Sequence, residues 1–171
     1  MRAFSAGINL IVVGVLLSGC RPSSSTWRID ATKAGAVRFG MSPEEAAAAL
    51  GAPLDDSFPA QGCDYWSPAS VPRGLRFMIE DRRVVRVDVD SVGPATPEGI
   101  TVGSPISQVR AAYGSRLREE PHKYQWESGW RYLTLVADDS ARALVFEVDS
   151  FVVRSYRAGL LPPVTYVEHC S

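Results

Sequence analysis

The chain has 171 residues, of which 22% are charged and 46% hydrophobic, and its formal net charge is −1. That length holds one or two small domains, and that hydrophobic content excludes a disordered chain. The balanced charge excludes nucleic-acid binding through a basic field. Two histidines are too few for a histidine-rich metal cluster, and three cysteines make an odd count, so their positions matter.

The N-terminus reads as an address rather than as structure. Met1 and Arg2 form a short positive region, and residues 8–17 are apolar and uncharged. A run of about ten suits a signal-peptide core; a spanning helix needs roughly 20. The run leads into Leu17-Ser18-Gly19-Cys20. This ending resembles the lipobox of bacterial lipoproteins. The resemblance implies that residues 1–19 are a signal peptide, that the chain is cut before Cys20, and that Cys20 carries lipid. Each buried methylene contributes about 0.8 kcal/mol, so two or three acyl chains anchor a protein without a spanning helix. Arg21, not Asp, follows the cysteine. By the sorting known for such lipoproteins in enteric-type bacteria, this implies the inner leaflet of the outer membrane, facing the periplasm.

With Cys20 taken by lipid, Cys63 and Cys170 remain in an exported chain, where disulfides persist. A bridge between them closes a loop on the order of 100 residues, worth up to about 4.7 kcal/mol in the chain-entropy model. It would staple the C-terminus to the first half of the chain.

Residues 20–30 read as a tether, polar at Arg21-Pro22-Ser23-Ser24-Ser25. Ordered structure is expected to begin between Trp27 and Val37. The rest reads as two copies of one unit, 31–93 and 94–171, the second ending in a tail. Gly40 and Gly51 bracket a helical stretch in the first copy, and Gly103 and Gly114 bracket one at equal spacing in the second. Ser42, Pro43 and Glu45 form a helix start with a capping box, and Gly51 with Pro53 forms a stop. The second start, Ser104-Pro105, lies one place earlier relative to its glycines. An aromatic cluster follows each helix: Tyr65-Trp66, then Tyr124-Gln125-Trp126. Two alternating runs follow each cluster, 75–80 with 84–90 and 130–136 with 143–149. Leu75, Phe77 and Ile79 share one face; Arg76, Met78 and Glu80 share the other. That alternation is the antiparallel pattern. The fold expected is α+β: two tandem units of a helix plus an antiparallel meander, with the helices on one face of the sheet.

A lipobox, then Gly-Met-Ser-Pro-Glu-Glu-Ala…Leu-Gly-Ala-Pro, then a meander, resembles the SmpA/OmlA (BamE-type) outer-membrane lipoproteins. Two such units in tandem resemble the β-lactamase-inhibitor-like fold. The likeness covers roughly residues 37–150. It implies a binding module, not an enzyme, with an exposed sheet face rich in aromatics as the contact. The matching positions are Trp66, Trp126, Trp130 and Tyr132. The two units and the tail depart from the single-unit assembly lipoproteins.

The sequence carries no nucleophile elbow, phosphate loop, dinucleotide fingerprint or paired-cysteine metal motif, so no catalytic residue, metal or cofactor is assigned. His122 and His169 read as structural or exposed. Asp88, Asp90, Glu147 and Asp149 read as solvated strand faces, with Arg76, Arg86 and Arg131 in register nearby. Tyr124, Trp126, Trp130 and Tyr132, two pairs sharing strand faces, are the best binding candidates, because aromatics are enriched at hot spots; Trp66 joins them. The leading expectation is a lipid-anchored envelope protein that binds another envelope protein, in outer-membrane assembly or maintenance. A peptidoglycan or glycan binder, an inhibitor of an envelope enzyme, and a hydrolase whose site only the fold would assemble stay open beside it.

Overall fold

In the computed structural model, residues 27–54 and 62–170 are described. The signal peptide, Cys20 and the polar start of the tether lie outside the described residues. Trp27 is the first described residue. Ile29 is fully buried, its N–H donates to the Ala95 carbonyl at 3.0 Å, and the Ala95 N–H donates to the Trp27 carbonyl at 3.2 Å. Residues 27–29, within the expected tether span of 20–30, thus already pack against the 94–96 segment. Burying Ile29 outweighs the polar character of its neighbours.

A two-residue hairpin comes first, β1 (Lys33–Ala34) with β2 (Val37–Arg38). Helix α1 (Pro43–Leu50) starts as its sequence dictates. Ser42 Oγ accepts from the Glu45 N–H, and the Glu45 carboxylate accepts from the Ser42 N–H at 2.8 Å. Gly51 closes it at φ 58°, a left-handed conformation that glycine adopts without a Cβ penalty. Strands β3 (Cys63–Trp66), β4 (Leu75–Glu80) and β5 (Arg83–Val89) follow. Helix α2 (Ile106–Tyr113) continues into a 3-10 turn and then into β6 (Leu117–Pro121). Strands β7 (Arg131–Val136), β8 (Arg142–Val148) and β9 (Val153–Leu160) complete the described strands, and a 3-10 turn at Pro163–Thr165 follows.

Seven strands form one antiparallel sheet in the order β3-β4-β5-β9-β8-β7-β6. The chain is thus α+β, with a large antiparallel sheet and two short helices among the described residues. β9 joins the halves by pairing with both β5 and β8. The sequence reading ended the second strand pair near Ser150 and missed β9. That strand carries Arg154, Ser155, Arg157 and Gly159 among its apolar residues, so its alternation is hidden. The reading also placed Tyr124 and Trp126 on a strand. They lie instead in the connection from β6 to β7, with Trp126 opening a 3-10 turn.

One face of the sheet is apolar. Phe77, Val87, Phe146 and Ala158 point into a cluster that also takes Ala46 and Ala47 from α1 and Val109 and Tyr113 from α2. Burial of this kind contributes about 25 cal/mol per Å² and carries helices too short to persist alone. The opposite face is mixed, with charged residues at its centre and a smaller apolar cluster of Tyr132, Ala143 and Val145, and the C-terminal segment 161–170 crosses it. Cys63 and Cys170 form the expected disulfide, with a Cα–Cα distance of 5.2 Å and a sequence separation of 107.

Candidate functional site under the C-terminal strap

The polar face alternates in charge across strands. Arg76 on β4 stands opposite Asp88 on β5, and Asp88 stands opposite Arg157 on β9. Cross-strand pairs of opposite sign stabilise such a face. Two of its arginines are buried: Arg86 is 1% exposed and Arg157 is 5% exposed. An isolated buried guanidinium would be very costly, and both are fully engaged. Arg86 Nε lies 3.0 Å from both Asp88 oxygens. Its Nη1 donates to the Pro163 carbonyl at 3.1 Å and to the Tyr166 carbonyl at 2.8 Å. Arg157 Nε donates to the Val164 carbonyl at 2.6 Å, and its Nη1 pairs with Glu147. Two guanidiniums on adjacent strands therefore grip the strap through its carbonyls.

Gly159 makes this packing possible. It stands opposite Arg86, and a Cβ there would lie 2.2 Å from the Val85 carbonyl oxygen and 2.7 Å from Arg86 Cα. Tyr65 completes the cluster. Its hydroxyl donates to Asp88 at 2.8 Å and accepts from Arg86 Nη2 at 3.1 Å. Burial, and then the Asp88 charge, push the Tyr65 hydroxyl well above the ordinary tyrosine range.

Beside the strap a pocket of about 320 Å³ opens, lined by Arg76, Asp88, Asp90, His122, Glu147 and His169 among others. The sequence reading placed both histidines in structural or exposed roles; here they face one cavity with carboxylates. His122 is 7% exposed and stacks on Tyr132 with ring centroids 4.6 Å apart. The N–H groups of Tyr124 and Gln125 both donate to its Nδ1, at 3.1 and 3.2 Å. That lone pair is occupied, so the neutral ring carries its proton on Nε2, which lies 3.8 Å from Glu147 Oε2. Ser155 Oγ donates to the same Glu147 oxygen at 3.2 Å. The carboxylate thus sits between the hydroxyl and the imidazole. Activation of a serine needs the imidazole between them, so these three groups do not form a triad. His169, exposed at the mouth, brings its Nδ1 within 3.1 Å of the Tyr65 hydroxyl oxygen and 3.4 Å of Arg86 Nη2.

The expected contact aromatics are not together. Trp66 is 5% exposed and packs in the apolar core, and Tyr132 is 8% exposed beneath the strap. Neither presents a surface to a partner. Trp130 is half-buried, with His122 edge-on to its ring. Tyr124 and Trp126 are exposed. Tyr124 lines the pocket, and its hydroxyl bonds to Glu168 of the strap. That bond, and then nearby Lys123, hold the Glu168 carboxyl below the usual carboxylate range.

The acids also depart from expectation. Asp88 and Asp149 are buried at 8% and 7% exposure; they are paired groups, not a solvated face. Of the neighbouring arginines, Arg86 is buried under the strap and Arg76 lines the pocket, whereas Arg131 lies toward Glu119 at 3.8 Å. The functional residues that sequence reasoning missed are Tyr65, Ser155 and Arg157. Arg157 carries no usable signal, because its register with Asp88 exists only through β9, whose alternation is hidden. Among the described residues no helix is long and apolar enough to cross a membrane, and no acid–His–Cys group is arranged to hold a metal ion. Comparison with family models, with curated proteins and with solved structures finds no match.

Proposed function

We propose that this chain is a lipid-anchored cell-envelope protein that works as a binding module rather than an enzyme. It holds a charged segment of another envelope protein in the pocket beside the strap. The observation that carries this reading is the pocket's lining. Cations and anions alternate around it, and its buried members are fixed by pairing, which preorganises the site for a polar, mixed-charge ligand. The lone pairs and protons that a hydrolytic step would need on His122 and Ser155 are already spent on the loop and on Glu147. Mixed charge also favours a peptide over a bare sugar ring, because two of the aromatics proposed for stacking are buried.

The lipobox supports attachment at Cys20 in the outer membrane, with maintenance or assembly of that membrane as the setting. We further read the halves as copies: α1 with β3-β4-β5, and α2 with β6-β7-β8. In support, β5 and β8 both run into Asp-Ser followed by an exposed apolar residue, Val92 or Phe151.

The test is photo-crosslinking in intact cells from a photoreactive phenylalanine analogue at position 124. A discrete protein adduct that weakens in Arg76→Glu is expected. No adduct, an adduct to murein, or one unchanged by Arg76→Glu would overturn the pocket reading. The anchor is tested separately. The mass of the Cys20 peptide should carry acyl chains, and Cys20→Ser should release the protein from membranes.

A further inference from the structure

Apart from Tyr166 in the strap, the exposed large hydrophobic side chains of the described residues are not scattered. Val92, Trp126 and Phe151 are 74%, 57% and 76% exposed, and all three stand in loops at one end of the sheet. β9 is antiparallel to both β5 and β8, so β5 and β8 finish at the same end. Val92 follows β5 and Phe151 follows β8. Trp126 lies between β6, which ends there opposite the start of β7, and β7, whose Arg131 pairs with Val148. The two loops of the second half touch: a Cβ on Gly129 would come within 2.8 Å of Ser150 Oγ. Tyr124 is at this end as well, at the pocket rim.

The chain also enters at this end. The Trp27 carbonyl accepts from Ala95, three residues beyond Val92. Cys20 and Trp27 are seven residues apart in sequence, a span of at most about 25 Å. A lipid on Cys20 would therefore lie within about 25 Å of Trp27 and of the end that carries the loop tips.

The charges of this end agree. Asp149 is turned inward, where it accepts from the N–H groups of Phe151 and Val152 at 2.7 Å and pairs with Arg154. Asp90 faces Arg76 at 3.8 Å. Lys123 pairs with Glu168 of the strap at 3.5 Å, Glu127 is exposed in the same connection, and exposed Arg73 stands next to Ser91, whose hydroxyl reaches its carbonyl. An apolar tip pair, a tryptophan and a spare arginine suit the headgroup boundary of an anionic bilayer.

We propose that this end is a membrane-docking surface, with Val92, Trp126 and Phe151 seated in the lipid interface beside the anchor. It rests on the reading that Cys20 carries the lipid. Docking stands the sheet on its end. The hairpin turn at 81–82, the Cys63–Cys170 disulfide and the outer part of the strap then face away from the bilayer, and the pocket opens sideways, close to its surface.

The experiment supplies the anchor chemically. Cys63 and Cys170 are bonded to each other, which leaves Cys20 as the free thiol of three cysteines. The chain from Cys20 to Ser171 is coupled through that thiol to a maleimide lipid in vesicles of phosphatidylethanolamine and phosphatidylglycerol with brominated acyl chains. Bromine should quench the tryptophan fluorescence. Trp126→Phe should remove most of the quenched signal, and Val92→Ser with Phe151→Ser should reduce quenching at least two-fold with an unchanged near-ultraviolet spectrum. If the double variant misfolds, Phe151→Ser alone serves. Quenching at background, quenching indifferent to these substitutions, or dimerisation through the patch would overturn the proposal. A native Cys20 found without lipid would sink the anchor reading but would leave this measurement intact.

Discussion

The two faces of the sheet are covered by different physics. On one face, side chains such as Phe77, Val87 and Phe146 bury against α1 and α2, and the attraction is spread over many residues. On the other, segment 161–170 is held by directed bonds from Arg86 and Arg157, by one disulfide, and by a small apolar cluster in which Val164 packs on Tyr132, Ala143 and Val145. Apolar cover is non-directional and tolerates imperfect matching. Polar cover requires each buried donor to meet its acceptor. The apolar face therefore builds the domain, whereas the polar face fixes one geometry, and the pocket lies where that fixed geometry ends.

The largest expected effect breaks the polar face at its centre. Arg86→Met should destabilise by about 3–5 kcal/mol, because it leaves Asp88 buried without its partner and strips donors from the Pro163 and Tyr166 carbonyls. Phe77→Ala on the apolar face should cost a similar amount, about 3–5 kcal/mol, through its cavity. Only the polar loss should be recoverable. Adding Asp88→Asn to Arg86→Met should restore part of the stability in urea denaturation. No recovery would mean that the uncompensated charge is not the cause.

Next comes the staple. Cys170→Ser should cost about 2–4 kcal/mol by freeing a long loop of the unfolded chain. The loosening should be confined to the strap. Amide exchange should rise across 163–169 and leave the buried strands of the helix-covered face protected. Uniform loosening would mean that the two coverings are not independent.

How far the sequence foretold each face follows from this difference. The helix-covered face was legible because its signals are local: alternation in Leu75–Glu80, the Ser42–Glu45 box, and Gly51. The disulfide was legible from cysteine arithmetic. The strap was not. Arg86 meets Pro163 and Tyr166 only after some eighty residues of intervening chain, and nothing in the pattern around Arg86 marks it as buried. Trp66 and Tyr132 misled for the complementary reason: an aromatic on a strand reads the same whether a partner or the protein's own chain covers it. His122 reads as structural or exposed in the sequence; in the fold it is buried against Tyr132 and lines the pocket, and its neighbours Glu147 and Ser155 come from strands whose pairing the sequence could not set.

A smaller effect separates the two Asp-Ser loops. Asp149 is buried, and burial alone would raise its pKa. The N–H groups of Val152 and Phe151, together with Arg154, outweigh that and hold its carboxyl below the usual range. A depressed folded pKa gives stability that is present above the unfolded value near 3.9 and is lost as pH falls through the folded value. Asp149→Asn should cost about 1–2 kcal/mol at neutral pH, since a charge-assisted bond is lost, and should flatten the acid limb of the stability profile. Asp90→Asn should cost almost nothing, because its pair with Arg76 is exposed and long. Equal effects at the two positions would show that burial does not set their difference.

The smallest effect lies in the helices that cover the apolar face. α1 carries a reciprocal cap, whereas α2 begins at Pro105 without a side-chain cap. Ser104 does not cap it; its hydroxyl accepts from the Thr101 N–H at 3.0 Å, in the preceding turn. Ser42→Ala should therefore cost about 1 kcal/mol and speed amide exchange in the first turn of α1. Ser104→Ala should expose the Thr101 amide and leave the first turn of α2 as it was. If Ser104→Ala frayed α2 as Ser42→Ala frays α1, the two Ser-Pro starts would be equivalent caps. The one-residue offset between them in the sequence would then carry no structural meaning.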